Sequence, residues 1–310
     1  MPELHVGERH WSVAAGSNLL DVLNQVGVAV PYSCRAGSCH ACLVRCQGDV
    51  EDKQPDALSP AQRQDGWRLA CQCQVAGDLK VETFDPLHDG LPAQVVGADW
   101  LSRHVLRLRL QPERGLRYRA GQHLVLWAGQ VARPYSLASL PQEDPFLECH
   151  LDCRQPGQFS NLARQLQVGD PLRLGELRGG ALHYDPDWQL RPLWLLASGT
   201  GLGPLWGVLR EALRQDHQGD IRLIHLAHDG DAHYLAEPLA GLAAQHPNLS
   251  VELWTAAGSA QALAQLRLVS RQTLALLCGH PASVEAFSKR LFLAGLPRNQ
   301  LLADVFLSRG

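Results

Sequence analysis

Short runs with alternating apolar and polar residues open the chain. L-H-V (Leu4 to Val6) and W-S-V (Trp11 to Val13) read as strands with one buried side, and the period then changes to that of an amphipathic helix around Asn18 to Val26, capped near Ser17. A strand from Leu79 to Thr83 closes this small α+β unit. Phe84 to Pro92 carries two prolines, a glycine and charge, the composition of a linker. From Ala93 to about Tyr184, alternation in V-L-R-L-R-L, an apolar run in H-L-V-L-W and the segment F-L-E-C-H-L-D-C are separated by Pro/Gly turns and predict a closed antiparallel barrel. Beyond Arg191 the order is apolar strand, glycine loop, helix, strand, which predicts a parallel α/β sheet. The expected domains are 1–85, 92–187 and 188–310, and a length of 310 residues does exceed what one core comfortably organises.

Composition removes several classes of function. The net charge is −3 and no Lys/Arg-rich run occurs, so nucleic acid is not an expected partner. Residues 1–85 hold eleven acidic and seven basic side chains, an excess that a solvated surface explains as well as docking does. Met1 to Val13 is polar and strand-like rather than a leader, and no apolar run approaches the ~20 residues that cross a bilayer. A soluble, cytoplasmic protein without membrane attachment is expected, working as a monomer. Nine cysteines, an odd number, suit a reducing compartment and a bound cluster better than a disulfide framework.

The cysteines carry the first chemical signal. Cys34, Cys39 and Cys42 stand at C-x4-C-x2-C, and Cys71 follows after a gap of 28 residues, the spacing of a plant-type [2Fe-2S] cluster. Soft thiolates match sulfide-bridged iron, and four of them on two irons leave no open site for substrate. A structural zinc site is the alternative, but zinc knuckles use paired C-x2-C arms and only one arm is present. Gly37 lies inside the loop, where backbone N–H groups can turn toward a negatively charged cluster. Cys71 and Cys73 compete for the fourth position. If both lie on a strand they share a face, which would set Cys73 just behind the cluster. Cys46, Cys149 and Cys153 read as buried small hydrophobes.

The second signal is L-W-L-L-A-S-G-T-G-L-G-P, a buried strand running into Gly199, Thr200, Gly201 and Gly203, with Pro204 where a helix to Arg214 would begin. Glycines admit a pyrophosphate close to the backbone, and the helix start offers free N–H groups to it. The alternative is an ordinary tight turn. After the next strand, I-R-L-I-H-L-A-H-D-G-D places Asp229 and Asp231 where a phosphorylated cofactor would require arginine. Carboxylates accept ribose hydroxyls and repel phosphate, so NADH is expected over NADPH, the alternative for either aspartate being an ordinary loop residue.

Between these lies R-P-Y-S, Arg133 to Ser136, followed by G-Q-F-S-N from Gly157. Arginine pairs with phosphate, a tyrosine ring covers a flat heteroaromatic face, and a serine hydroxyl hydrogen-bonds a ring nitrogen. A chain with a one-electron cluster and a two-electron nucleotide needs a converter, and flavin is one.

Taken in order, Arg133-Pro134-Tyr135-Ser136, Gly157 to Ser160, G-T-G-L-G-P and Cys278-Gly279-His280-Pro281 resemble the ferredoxin-NADP reductase superfamily over nearly the whole chain. With its N-terminal cluster unit the protein is similar to the reductase component of bacterial multicomponent oxygenases, or to relatives in deoxysugar dehydration. The resemblance implies a plant-type ferredoxin (β-grasp) domain, an antiparallel β-barrel flavin domain and a Rossmann-like nucleotide domain. It favours Cys71 as fourth ligand and FAD as the flavin. It also implies that Arg133 meets the flavin phosphates, Tyr135 packs on the flavin and Ser136 hydrogen-bonds near N5, with Gly157 and Ser160 bordering the pyrophosphate. Cys278 would stand beside the nicotinamide, although a core thiol is its alternative, and Phe306 would shield the flavin unless it is simple packing. NADH would reduce FAD, and the cluster would pass single electrons to a protein acceptor such as an oxygenase component. A stand-alone flavin or ferric reductase, or a redox sensor, is the competing reading.

Three departures from the pattern stand out. His40 replaces a glycine between the second and third ligands and is expected to point to solvent, making Arg35, Ala36 and His40 the exposed exit edge. His280 stands where proline is common. G-E-L-R-G-G, Gly175 to Gly180, replaces a more regular glycine-proline turn.

Overall fold

The structure is a computed structural model and describes residues 1–307. In the first unit β1 (Glu3–Val6), β2 (Arg9–Ser12), α1 (Leu19–Gln25), β3 (Leu43–Asp52), α2 (Pro60–Gln64), β4 (Trp67–Leu69) and β5 (Cys73–Thr83) form a five-stranded sheet in the order β2-β1-β5-β3-β4. Only β1 and β5 run parallel among these pairs. α1 buries Leu19, Leu20 and Leu23 against Leu4, Val75, Leu79 and Val81 of the sheet, which is the apolar stripe its periodicity requires. Its cap is Asn18, one residue later than expected: the Asn18 side chain accepts from the Asp21 N–H, while Ser17 is still in a turn closed on Ala14.

The second unit comprises β6 (Leu91–Trp100), β7 (Val105–Pro112), β8 (His123–Ala128), β9 (Val131–Ser136), β10 (Leu147–Asp152), α3 (Gln158–Ala163) and β11 (Pro171–Arg178). Its six strands are ordered β10-β7-β6-β11-β8-β9, every pair antiparallel. The sheet curls until its two edges meet just past β9, at the single bridge Leu137↔Cys149 and the Ala138 N–H to Glu148 carbonyl bond of 2.8 Å. It is a half-barrel stitched at one seam rather than a fully laddered barrel.

The third unit alternates β12 (Leu193–Ser198), α4 (Leu202–Arg214), β13 (Ile221–Ala227), α5 (Ala236–Gln245), β14 (Leu249–Thr255), α6 (Ala256–Gln265), β15 (Leu274–Gly279), α7 (Pro281–Leu293) and β16 (Leu301–Val305). All five strands are parallel in the order β14-β13-β12-β15-β16. β12 and β15 are buried on both faces, which is why they read as unbroken apolar runs. The chain leaves β12 in one direction and later returns to its other side with β15. That reversal places a crevice at the carboxyl ends of β12 and β15.

Candidate functional site

The loop between α1 and β3 holds Cys34 and Cys39, with Cys42 immediately before β3. Cys71 lies in the single 3-10 turn Ala70–Gln72 between β4 and β5. The thiols face each other in pairs, Cys34 with Cys39 and Cys42 with Cys71. Among the described residues no three His, Cys, Asp or Glu converge on one point as a mononuclear site requires. Two pairs of thiols are instead what two adjacent irons need. Backbone and side-chain N–H groups surround the sulfurs: Ala36 and Cys39 N–H each lie 3.3 Å from Cys34 Sγ, and Gln72 Nε2 lies 3.2 Å from Cys71 Sγ. Within each pair the shared hydrogen bond favours one thiolate and one thiol: it draws Cys34 down and pushes Cys39 up, and draws Cys71 down and pushes Cys42 up. Four sulfurs in two facing pairs, ringed by N–H donors, fit a cluster, whose irons would take them as thiolates.

Cys73 departs from expectation. Cys71 sits in a turn rather than a strand, so alternation does not relate the two, and Cys73 is fully buried in the core of the first sheet with its thiol pushed up by desolvation. His40 departs further. It is buried rather than solvent-facing, because a left-handed backbone (φ 55°) turns its imidazole into the second unit. The exposed residues of the loop are therefore Arg35, Ala36 and Ser38, without His40.

Arg133, Tyr135 and Ser136 lie along β9, with α3 packed against it. The Tyr135 ring stands 5.2 Å from Phe159 of α3, which brings Gly157 and Ser160 to the same edge. Arg133 is half-buried and donates to its neighbour's carbonyl, Ala132, at 2.7 Å. Ser136 is buried and pairs across strands with His123 at the start of β8. His123 Nε2 donates to the Ser38 carbonyl of the cysteine loop at 3.2 Å, so one residue connects β9 to the thiols. A carbonyl only accepts, which fixes the proton on Nε2 and leaves Nδ1 a buried acceptor without a partner.

At the crevice, Gly199, Thr200 and Gly201 form one tight turn. A Cβ on Gly201 would fall 2.2 Å from the Cys278 carbonyl oxygen, so only glycine lets the turn lie on β15. Gly203 has another task. It faces His150 of β10, whose Nδ1 would lie 3.2 Å from an added Cβ, and it packs α4 against the half-barrel. The helix starts at Leu202, two residues before Pro204, since proline is tolerated in a first turn. Cys278 is wholly buried in β15, and burial raises its thiol well above the ordinary range. It pairs with Ala197 of β12 and Asp304 of β16, and the Phe306 N–H continues the ladder to the Gly279 carbonyl at 2.8 Å. Asp229 caps the turn after β13, accepting from the Ala232 N–H at 3.1 Å and lying 3.1 Å from His228 Nδ1.

Sequence reasoning missed three side chains here, His123, Asp304 and His225. Asp304 is raised by burial and lowered by its neighbour His123, so β16 reaches the same junction as the cysteine loop. His225, fully buried in β13, donates from Nε2 to the Gly199 carbonyl at 3.1 Å, and its Nδ1 meets His233 Nδ1 at 3.2 Å. None of these three belongs to a spaced motif. The only available signal was a histidine within an apolar run, as in L-I-H-L-A and G-Q-H-L-V.

Cluster loop, curled sheet and parallel sheet thus converge on one junction. A 2Fe-2S iron-sulfur cluster binding domain matches residues 5–76, an oxidoreductase FAD-binding domain residues 93–181 and an oxidoreductase NAD-binding domain residues 195–289. The chain belongs to the ferredoxin-NADP reductase superfamily, in its three-domain iron-sulfur flavoprotein branch, and is an NAD(P)H-dependent oxidoreductase with [2Fe-2S], FAD and NAD as its cofactors. It is 31% identical to the ferredoxin–NAD(P)+ reductase component of the naphthalene 1,2-dioxygenase/salicylate 5-hydroxylase systems of Ralstonia sp., over 97% of each chain. To the reductase component of the naphthalene 1,2-dioxygenase system of Pseudomonas putida it is 30% identical over 96% of this chain and 95% of the other. The Amycolatopsis cytochrome P450 reductase GcoB superimposes with a TM-score of 0.66 at 27% identity, covering 99% of both chains.

Proposed function

We propose that this protein takes electrons from NADH and delivers them singly to an oxygenase component. The observation that carries the reading is the junction itself: His123 joins the Ser136 strand to the cysteine loop, and Asp304 of β16 lies near enough for its charge to act on His123. FAD, when bound, accepts a hydride and releases electrons one at a time, and the cluster carries them one at a time.

The chain's own residues divide the work. Cys34, Cys39, Cys42 and Cys71 hold the cluster. Arg133 anchors flavin phosphate, Tyr135 covers the ring face, Ser136 offers its hydroxyl to the reactive edge, Gly157 and Ser160 border the pyrophosphate, and Phe306 shields the flavin. Gly199, Thr200 and Gly201 receive the dinucleotide with Gly203 packing behind them, Asp229 selects NADH by its charge, and Cys278 lines the hydride site. Domain limits of 1–85, 92–187 and 188–310, a monomeric state and a cytoplasmic setting complete the proposal.

The test is the holoprotein with NADH and a purified oxygenase component. Substrate turnover that needs both proteins is expected. Full turnover with free flavin or ferric chelates, and none with the oxygenase, would overturn it.

A further inference from the structure

His40 follows Cys39 directly, yet it behaves unlike a residue on the solvent side of a cluster loop. Its φ of 55° lies in the left-handed region, which residues other than glycine seldom occupy, and its side chain is only 5% exposed. The imidazole leaves its own domain. It packs with Ala41 and Phe84 against Val125 and Trp127 of β8, around a residual cavity of about 10 Å³, and its Nδ1, which makes no hydrogen bond, faces the Glu176 carboxylate of β11 at 3.7 Å. Glu176 also accepts from Gln62 of α2 and from Arg178, and Arg178 reaches Gln62 Oε1 at 3.2 Å. Hence two departures from the family pattern, His40 and the G-E-L-R-G-G segment that contains Glu176, meet in space.

We propose that His40 is a positioning residue that seats the cluster loop on the flavin half-barrel through Glu176, and so sets the approach between the two redox groups. The inference rests on the reading above that the thiols carry a cluster and the half-barrel a flavin. A glycine at position 40 would take the same backbone without strain. Histidine there is strained, and the strain persists because the imidazole fills the seam between the units beside Glu176, which glycine cannot do. Cys39, Ala41, Val125, Trp127 and Ala132 form one apolar cluster across the domains, and the Phe84 and Trp127 rings stack at 5.1 Å. Apolar packing alone leaves sliding unopposed. The His123–Ser38 hydrogen bond fixes it at one point, and the buried His40 imidazole, facing Glu176 at 3.7 Å, keys it by shape at a second.

The experiment compares His40→Gly, His40→Asn and Glu176→Ala in the full-length protein, with and without cofactors. Glycine relieves the backbone and removes the reach. Asparagine tolerates the left-handed conformation and keeps an N–H near the place of Nδ1. Hydrogen exchange is read on residues 38–43 and 125–132. Exchange is expected to rise roughly tenfold in His40→Gly and Glu176→Ala, and to stay near wild type in His40→Asn. In the holoprotein, rapid mixing with NADH should leave flavin bleaching unchanged. The following phase, in which one electron leaves reduced flavin and one arrives at the cluster, should slow roughly tenfold in the same two variants and recover in His40→Asn. Unaltered exchange in both His40→Gly and Glu176→Ala overturns the proposal, as does equal slowing of both phases in all three variants. A wild type whose cluster never bleaches would sink the functional reading instead, while exchange would still decide the docking.

Discussion

At the residue scale the thiols are the most demanding assignment, because Cys71 and Cys73 differ by two positions and only one sits opposite Cys42. Cys39→Ser and Cys71→Ser are each expected to abolish the cluster's visible absorbance with flavin retained, and Cys73→Ser to keep it. Absorbance spectra of the purified variants check this, and loss in Cys73→Ser alone would reverse the assignment. His225 makes a second prediction. Burial, then the nearby His233, hold it at about 4, below the ordinary 6.5, despite the Gly199 carbonyl. Its folded value is depressed, so its stabilising share is complete above pH 6.5 and is lost as pH falls toward 4, on the order of 2–3 kcal/mol. His225→Gln should flatten the fall in thermal midpoint between pH 7 and pH 5; parallel curves would dismiss the idea. Asp229 supports a third. Asp229→Arg offers a 2′-phosphate a bidentate partner, and kcat/KM for NADPH relative to NADH should rise by roughly tenfold to a hundredfold. An unmoved ratio would place specificity elsewhere. The cysteines were legible because ligand spacing is written along the chain, whereas His123, Asp304 and His225 meet their partners only after three sheets have packed.

At the scale of elements, legibility followed burial. β12 and β15, buried on both faces, appeared as apolar runs, and the alternation of β7 showed its one buried side. β5 showed only its last five residues, since Gly77 and Asp78 interrupt its pattern where a register shift beside Gly48 bends the paired strand. Curvature has no periodicity, so the seam at Leu137↔Cys149 could not be read in advance. The turn carrying Gly201 depends on β15 in a way that can be tested. Gly201→Ala must move the Cys278 carbonyl away, because both atoms are backbone-bound and cannot rotate aside. A loss of about 1–3 kcal/mol is expected, with weakened NADH binding and an intact cluster spectrum. Calorimetry and nucleotide titration measure the two effects, and wild-type values for both would show that the turn yields freely.

Across the whole molecule the surprise is which face of the cysteine loop remains open. Composition and motif order announced three units but not their docking, which depends on His40 and Trp127 meeting across a boundary. With His40 turned inward, the loop has an inner face against the half-barrel and an outer face at Arg35 and Ala36, so the proposed route enters the loop beside His123 and would leave on the opposite side. Ala36 is the sharper probe of that outer face. Its N–H lies 3.3 Å from Cys34 Sγ while its side chain is exposed, so bulk added there obstructs approach without touching a ligand. Arg35 is less clean, being paired with Asp21 and stacked over Tyr32 at 5.1 Å. Ala36→Trp is therefore expected to lower kcat/KM with a one-electron protein acceptor roughly tenfold, because redox partners exchange electrons through small, close encounters. Flavin bleaching by NADH and the cluster spectrum should stay as in wild type, and Leu190→Trp, at another exposed position, should change nothing. If Ala36→Trp reduces the acceptor as fast as wild type does, the electron leaves by another face, and the inner seating of His40 does not dictate where the partner docks.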